Sequence, residues 1–155
     1  EVYITPTYQS AADILETGAE IIALDATPRR RPGGETPEEI LRQIREHYPD
    51  ALVMGEISTL EEAERIIPMG FDLISTTLSG YTRESQEVKA VNLDLIRQIH
   101  AITDIPIIAE GKIRCEQEAV EALKAGAHAV VVGTSITRPE IITERYVEAI
   151  REAED

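Results

Sequence analysis

Cysteine is nearly absent: Cys115 is the only one in 155 residues, so there is no intramolecular disulfide and no Cys-rich zinc site, and the chain suits a reducing compartment. Tryptophan is missing and phenylalanine occurs once, which leaves little aromatic surface on which nucleobases could stack. No apolar run approaches the roughly 20 residues that a membrane span needs, and the opening Glu1-Val2-Tyr3-Ile4 has neither a basic stretch nor a signal-like apolar one. Basic residues are the scarce charge, 15 against 29 acidic, for a net charge of -14. Such a field repels nucleic acid and anionic membrane surfaces, while leaving room for a local basic pocket around a phosphate. The expectation is a cytoplasmic globular chain, one domain over residues 1–155, with no nucleic-acid or membrane partner.

What is present is alternation. Short β-branched runs predict six strands, Val2 to Thr5, Ile21 to Asp25, Ala51 to Glu56, Leu73 to Thr77, Pro106 to Glu110 and Ala129 to Val132. Amphipathic stretches between and after them predict helices near residues 10–17, 37–47, 60–68, 92–101, 116–125 and 139–153. Thr36-Pro37-Glu38-Glu39 combines an N-cap, a proline at the first helical position and a capping-box glutamate, and Ser58 to Glu61 reads as a second box. Gly18, Gly70 and Gly126 follow helices in a shared context at spacings of 52 and 56 residues, so two strand-helix units form a repeat. A repeat of this kind predicts an α/β fold of the (β/α)8 barrel type, with six of eight units present. It also suggests an N-terminal truncation by about 50 to 60 residues, given the size of a closed barrel. An open doubly wound sheet fits the element count equally, but not the many polar residues at strand ends.

Barrel active sites lie at the C-terminal ends of the strands. Those ends carry Thr5 and Thr7, Asp25 and Thr27, Glu56 and Ser58, Thr76 and Thr77, Glu110, and Gly133-Thr134. For Thr7, Thr27 and Ser58, loop and N-cap roles explain the residue as well as function does. Asp25, Glu56 and Glu110 are different, because burying three acids together is costly unless a substrate or cation uses them. Gly111 and Gly133 end neighbouring strands, and the second leads into Thr134-Ser135-Ile136-Thr137-Arg138-Pro139. Glycine-exposed N–H groups, a helix start and a cation suit a phosphate dianion, with Lys112 and Arg138 as the best-placed cations. The Arg29-Arg30-Arg31 run either gates the site or is solvated. His47, His100 and His128 fall in helices or helix-to-strand connections and carry no catalytic expectation.

Five strings resemble a known family in order along the chain: Tyr3-Ile4-Thr5-Pro6-Thr7, Ile22-Ala23-Leu24-Asp25-Ala26-Thr27, Ile57-Ser58-Thr59-Leu60-Glu61-Glu62, Ser75-Thr76-Thr77-Leu78-Ser79-Gly80-Tyr81-Thr82 and Ile136-Thr137-Arg138-Pro139. The chain is similar throughout to the bacterial N-acetylmannosamine-6-phosphate 2-epimerases. That resemblance implies an isomerase of amino-sugar and sialic acid catabolism that interconverts N-acetylmannosamine 6-phosphate and N-acetylglucosamine 6-phosphate, without organic cofactor or metal. By resemblance Glu110 is catalytic, and Glu56 takes a catalytic position where the family has aspartate. Asp25, Thr76 and Arg138 bind substrate, and Gly111, Lys112, Gly133 and Thr134 hold the phosphate. The family's other catalytic group, a lysine, would lie upstream of residue 1, so the chain alone is expected to be inactive. Lys112 stands where the family has arginine, which keeps a cation but loses the bidentate fork. The sequence does not set the oligomeric state; its acidic surface and long last helix are compatible with a homodimer. Two other readings remain open at this point: a non-catalytic sugar-phosphate-binding or assembly fragment, and a related phosphate-binding barrel enzyme.

Overall fold

Five parallel strands form one sheet in the order β1-β2-β3-β4-β5, so each connection moves one position in the same direction. The structure is a computed structural model that describes residue 2 and residues 4–153. Along the chain come α1 (Tyr8–Leu15), β1 (Ile21–Asp25), α2 (Pro37–His47), β2 (Leu52–Glu56), α3 (Leu60–Ile66, with a 3-10 turn Ile67–Met69), β3 (Leu73–Ser75) and α4 (Leu93–His100). These are followed by β4 (Ile107–Glu110), α5 (Glu116–Lys124), β5 (Ala129–Val131), α6 (Thr134–Thr137) and α7 (Pro139–Glu152). A doubly wound sheet must reverse its strand order at a switch point, and this sheet does not. Singly wound right-handed crossovers instead stack the helices on one face and leave the other as the lumen wall of a (β/α)8 barrel.

Period-two burial separates the two faces. Ile22 and Leu24, Val53, Ile74, Ile107 and Ala109 are buried in one core with Ile40, Ile44, Ile66, Ile96, Ile99 and Ala122 from the helices. The alternate positions Ile21 and Leu52 are exposed, and they share a face with Asp25 and Glu56. Gly55 belongs to the helix side, where a Cβ would come within 2.7 Å of Ile66 Cδ1 and 3.0 Å of Phe71 Cδ1. Packing of α3 and Phe71 onto β2 therefore requires glycine there.

Helix starts follow their chemistry. Thr7, Thr36 and Thr59 each close a capping box, with Ser10, Glu39 and Glu62 respectively. The first helix accordingly begins at Tyr8 rather than near residue 10, and the box expected at Ser58 to Glu61 is displaced by one residue. Of the six strands expected, five are present with ends shifted by up to two residues. In the Val2 to Thr5 segment, Tyr3 lies outside the described residues and Val2, Ile4 and Thr5 are not in a strand, although the Asp25 N–H donates to the Ile4 carbonyl at 3.3 Å. Gly126 is needed for close approach: its φ is +113°, and a Cβ would lie 2.5 Å from the His100 ring.

Candidate active site

Register places the acids in rows. Asp25 pairs with Glu56 and Glu56 with Ser75, so three side chains stand side by side on the lumen face. Ser75 pairs with Ile108, which puts Glu110 two residues further on, one row nearer the strand ends. Thr77 continues the alternation of Ser75 into that upper row, and the two hydroxyls are 2.6 Å apart. Glu56 is 4% exposed, and its Oε2 has no hydrogen-bond partner. Burial first, then the charge of Glu110, push the Glu56 carboxyl up to about 7, against the opposing pull of the Thr77 hydroxyl. Glu110 is half-buried, and desolvation raises its pKa too, again opposed by Thr77. Two carboxyls that both resist ionisation, Glu56 up to about 7, stand beside one hydroxyl and can hold and exchange a proton, as general acid-base chemistry requires.

Asp25 is differently placed. Its Oδ1 accepts from the Thr27 N–H at 2.9 Å and the Thr27 hydroxyl at 2.6 Å, and its Oδ2 pairs with Arg29 Nη2 at 2.5 Å. Arg31, buried at 3% exposed, lies 3.5 Å from the same carboxylate and donates to the carbonyls of Asp25, Thr27 and Arg29. Burial lowers the Arg31 pKa, and Asp25 opposes this. Arg65 of α3 donates to the Ala26 carbonyl. The arginine run is thus divided: Arg30 is solvated, whereas Arg29 and Arg31 bind the β1–α2 loop around Asp25.

Thr76 faces away from the lumen. Its hydroxyl donates to the Glu110 carbonyl at 3.0 Å and accepts from the Glu110 N–H at 3.2 Å, fixing the end of β4. A cavity of about 530 Å³ opens between the ends of β3, β4 and β5. It brings together Glu110, Gly111, Lys112, Gly133 and Thr134, along with Thr77, Tyr81, Arg114 and Arg145. It does not include Asp25, Glu56, Thr76 or Arg138. The Arg138 Nε instead donates to exposed Glu140 at 2.7 Å.

Gly111 and Lys112 adopt consecutive left-handed conformations, φ 98° and 59°. Glycine suits the first; the second is a conformation that side chains other than Asn and Asp rarely take. It lays the lysine stem against Gly80, where a Cβ would collide with Lys112 Cε, and sets the ammonium 4.1 Å over the Tyr81 ring. Burial lowers the Lys112 pKa, assisted by Arg114 and Lys89. Sequence reasoning missed Arg114, Arg145 and Tyr81 as cavity residues. Tyr81 had a signal, since it stands in the Ser75 to Thr82 string that follows β3, but Arg145 had none, since nothing local sets the lean of the last helix. Among the described residues no group of three or more His, Cys, Asp and Glu could hold a metal ion. None of the described helices is long and apolar enough to cross a membrane.

A family model described as "Putative N-acetylmannosamine-6-phosphate epimerase" matches residues 1–152. Two curated proteins named "Putative N-acetylmannosamine-6-phosphate 2-epimerase" are similar over 97% of this chain. The one from Caldanaerobacter subterraneus subsp. tengcongensis is 52% identical over 150 residues, and 63% of its length is covered. The one from Latilactobacillus sakei is 42% identical over 153 residues, with 66% covered. The solved N-acetylmannosamine-6-phosphate 2-epimerase from Clostridium perfringens superposes with a TM-score of 0.90 at 44% identity, over 96% of this chain and 64% of that one. A thiamine phosphate pyrophosphorylase from Pyrococcus furiosus, at 22% identity and a TM-score of 0.60, shares the fold alone. The chain spans just under two thirds of the length of these first relatives. Matched over nearly its whole length, the chain belongs to the N-acetylmannosamine-6-phosphate epimerase family.

Proposed function

We propose that the whole protein epimerises carbon 2 of a phosphorylated amino sugar, interconverting N-acetylmannosamine 6-phosphate and N-acetylglucosamine 6-phosphate. The observation that carries this reading is Glu110: a half-buried carboxyl of raised pKa, at a strand end, on the wall of a cavity that also holds the Gly111-Lys112 and Gly133-Thr134 backbones. The family names of its relatives supply the substrate. Inversion at carbon 2 removes a proton from one face and returns one to the other, and that proton is acidic only in the open-chain aldehyde, where charge spreads into an enediolate. Glu110 then serves as one acid-base group. Glu56, protonated up to about pH 7, donates a hydrogen bond to the sugar or exchanges a proton with Glu110. Lys112 and the backbone at Gly111, Gly133 and Thr134 take the phosphate, in the geometry of a barrel phosphate site. Arg138 reaches the substrate by exchanging its partner Glu140. Asp25 acts through the loop it organises, and Thr76 through the Glu110 backbone it holds.

The family resemblance implies a lysine as the second acid-base group, which the whole protein must supply. The reaction runs in the cytoplasm, needs no organic cofactor or metal, and involves neither nucleic acid nor membrane. The whole protein is proposed to be a homodimer. The test is proton NMR of N-acetylmannosamine 6-phosphate in deuterated buffer with the whole protein. Loss of the carbon-2 proton with growth of N-acetylglucosamine 6-phosphate signals is expected. Retention of that proton over many hours at micromolar protein would sink the assignment.

A further inference from the structure

Three cations converge on the cavity at the ends of β3, β4 and β5: Lys112 and Arg114 from the β4–α5 loop, and Arg145 from α7. Glu110 is the sole carboxylate in its lining, in a chain whose net charge is -14. None of the three is in an ion pair among the described residues. Arg145 Nη1 donates to the Arg114 carbonyl at 3.0 Å, Arg114 Nη2 donates to the Lys89 carbonyl at 3.2 Å, and the Lys112 ammonium rests on Tyr81. A guanidinium has five N–H donors, so each arginine keeps most of its capacity unspent. Low-dielectric walls and one sign of charge focus the local field, here against the sign of the whole molecule.

Among the described residues α7 packs on α6, and its Ile141, one turn before Arg145, also lines the cavity. Its hydrogen bond to the rest of the barrel from this position is the one from Arg145 to the Arg114 carbonyl. Resting on the functional reading above, in which the cavity receives a phosphorylated sugar, we propose that Arg145, with Arg114, is a further ligand of the phosphate dianion, and that phosphate binding clasps α7 onto the β4–α5 loop. A dianion between Lys112 and Arg145 adds a charged bridge across two elements joined, among the described residues, by the hydrogen bond from Arg145 to the Arg114 carbonyl. A ligand held by side chains of two elements restrains both of them.

The test is titration of the whole protein with N-acetylmannosamine 6-phosphate, with unphosphorylated N-acetylmannosamine as control and amide hydrogen exchange of residues 139–152 as a second readout. The expected result is phosphate-dependent binding that slows exchange in α7. Arg145→Gln should weaken binding roughly tenfold to a hundredfold, the worth of a lost charge-assisted hydrogen bond, and abolish that protection. If Arg145→Gln binds like wild type while Lys112→Gln loses affinity, or if wild-type α7 gains no protection on binding, the clasp is wrong and the functional reading stands. If wild type binds neither the sugar phosphate nor inorganic phosphate, the functional reading falls and takes the clasp with it.

Discussion

Replacing Glu56 by glutamine should stabilise the protein at alkaline pH and do little in acid. The Glu56 carboxyl is buried at the lumen end of β2, one oxygen has no partner, and its pKa stands at about 7 where an ordinary glutamate has 4.5. A folded-state pKa above the unfolded value means that the folded chain holds the proton longer. Stability from this group is therefore complete below about pH 4.5 and is lost as pH rises through about 7. At about 1.36 kcal/mol per pKa unit, the loss approaches roughly 3 kcal/mol on the alkaline side. Glutamine cannot ionise and fills nearly the same volume, but it sets an N–H where the carboxyl had a proton or a lone pair, at a cost of about 1 kcal/mol that hardly varies with pH. Urea unfolding of wild type and Glu56→Gln at half-unit intervals from pH 5 to pH 8.5, without substrate, measures the difference. The gap should widen by roughly 2 to 3 kcal/mol in favour of the variant across that range. Glu110→Gln should narrow it, because the Glu110 charge is the second cause of the shift. A gap that stays constant between pH 5 and pH 8.5 would show that Glu56 ionises normally, and the proposed proton reserve beside Glu110 would go with it.

Glu110→Gln in the whole protein should abolish turnover while leaving sugar-phosphate binding within a few-fold of wild type; near-normal rates in the carbon-2 exchange assay would remove Glu110 from the chemistry. Gly55→Ala should cost about 1 to 3 kcal/mol, because the new methyl meets Ile66 at 2.7 Å and Phe71 at 3.0 Å in a packed core. Its thermal unfolding midpoint should fall, and an unchanged midpoint would mean that α3 moves freely over β2. Thr59→Ala should cost about 1 kcal/mol by removing the N-cap acceptor of the Glu62 N–H, and Thr59→Ser should recover most of it.

Much of the architecture was legible because parallel strands buried on one face by helices leave a repeated imprint: an apolar run, a cap, an amphipathic stretch. Parity along a strand even separates the site residues, since with Ile74 in the core, Thr76 must turn to the helices and Thr77 to the lumen. What parity lacks is register between strands. The sequence shows three acids at strand ends; only the pairing of Ser75 with both Glu56 and Ile108 puts Glu110 a row above Glu56 and within reach of the same threonine. The basic residues were harder to read for a different reason. Arg31 resembles a solvated charge until the β1–α2 loop is seen folding back over Asp25, where carbonyls turned inward need donors that water cannot supply. Arg145 is harder still, because its role depends on where an otherwise unburied helix leans. The acids and Lys112 were therefore predictable and the arginines were not: a residue at a strand end is placed by its own strand, whereas a long side chain further off is placed by whatever it reaches.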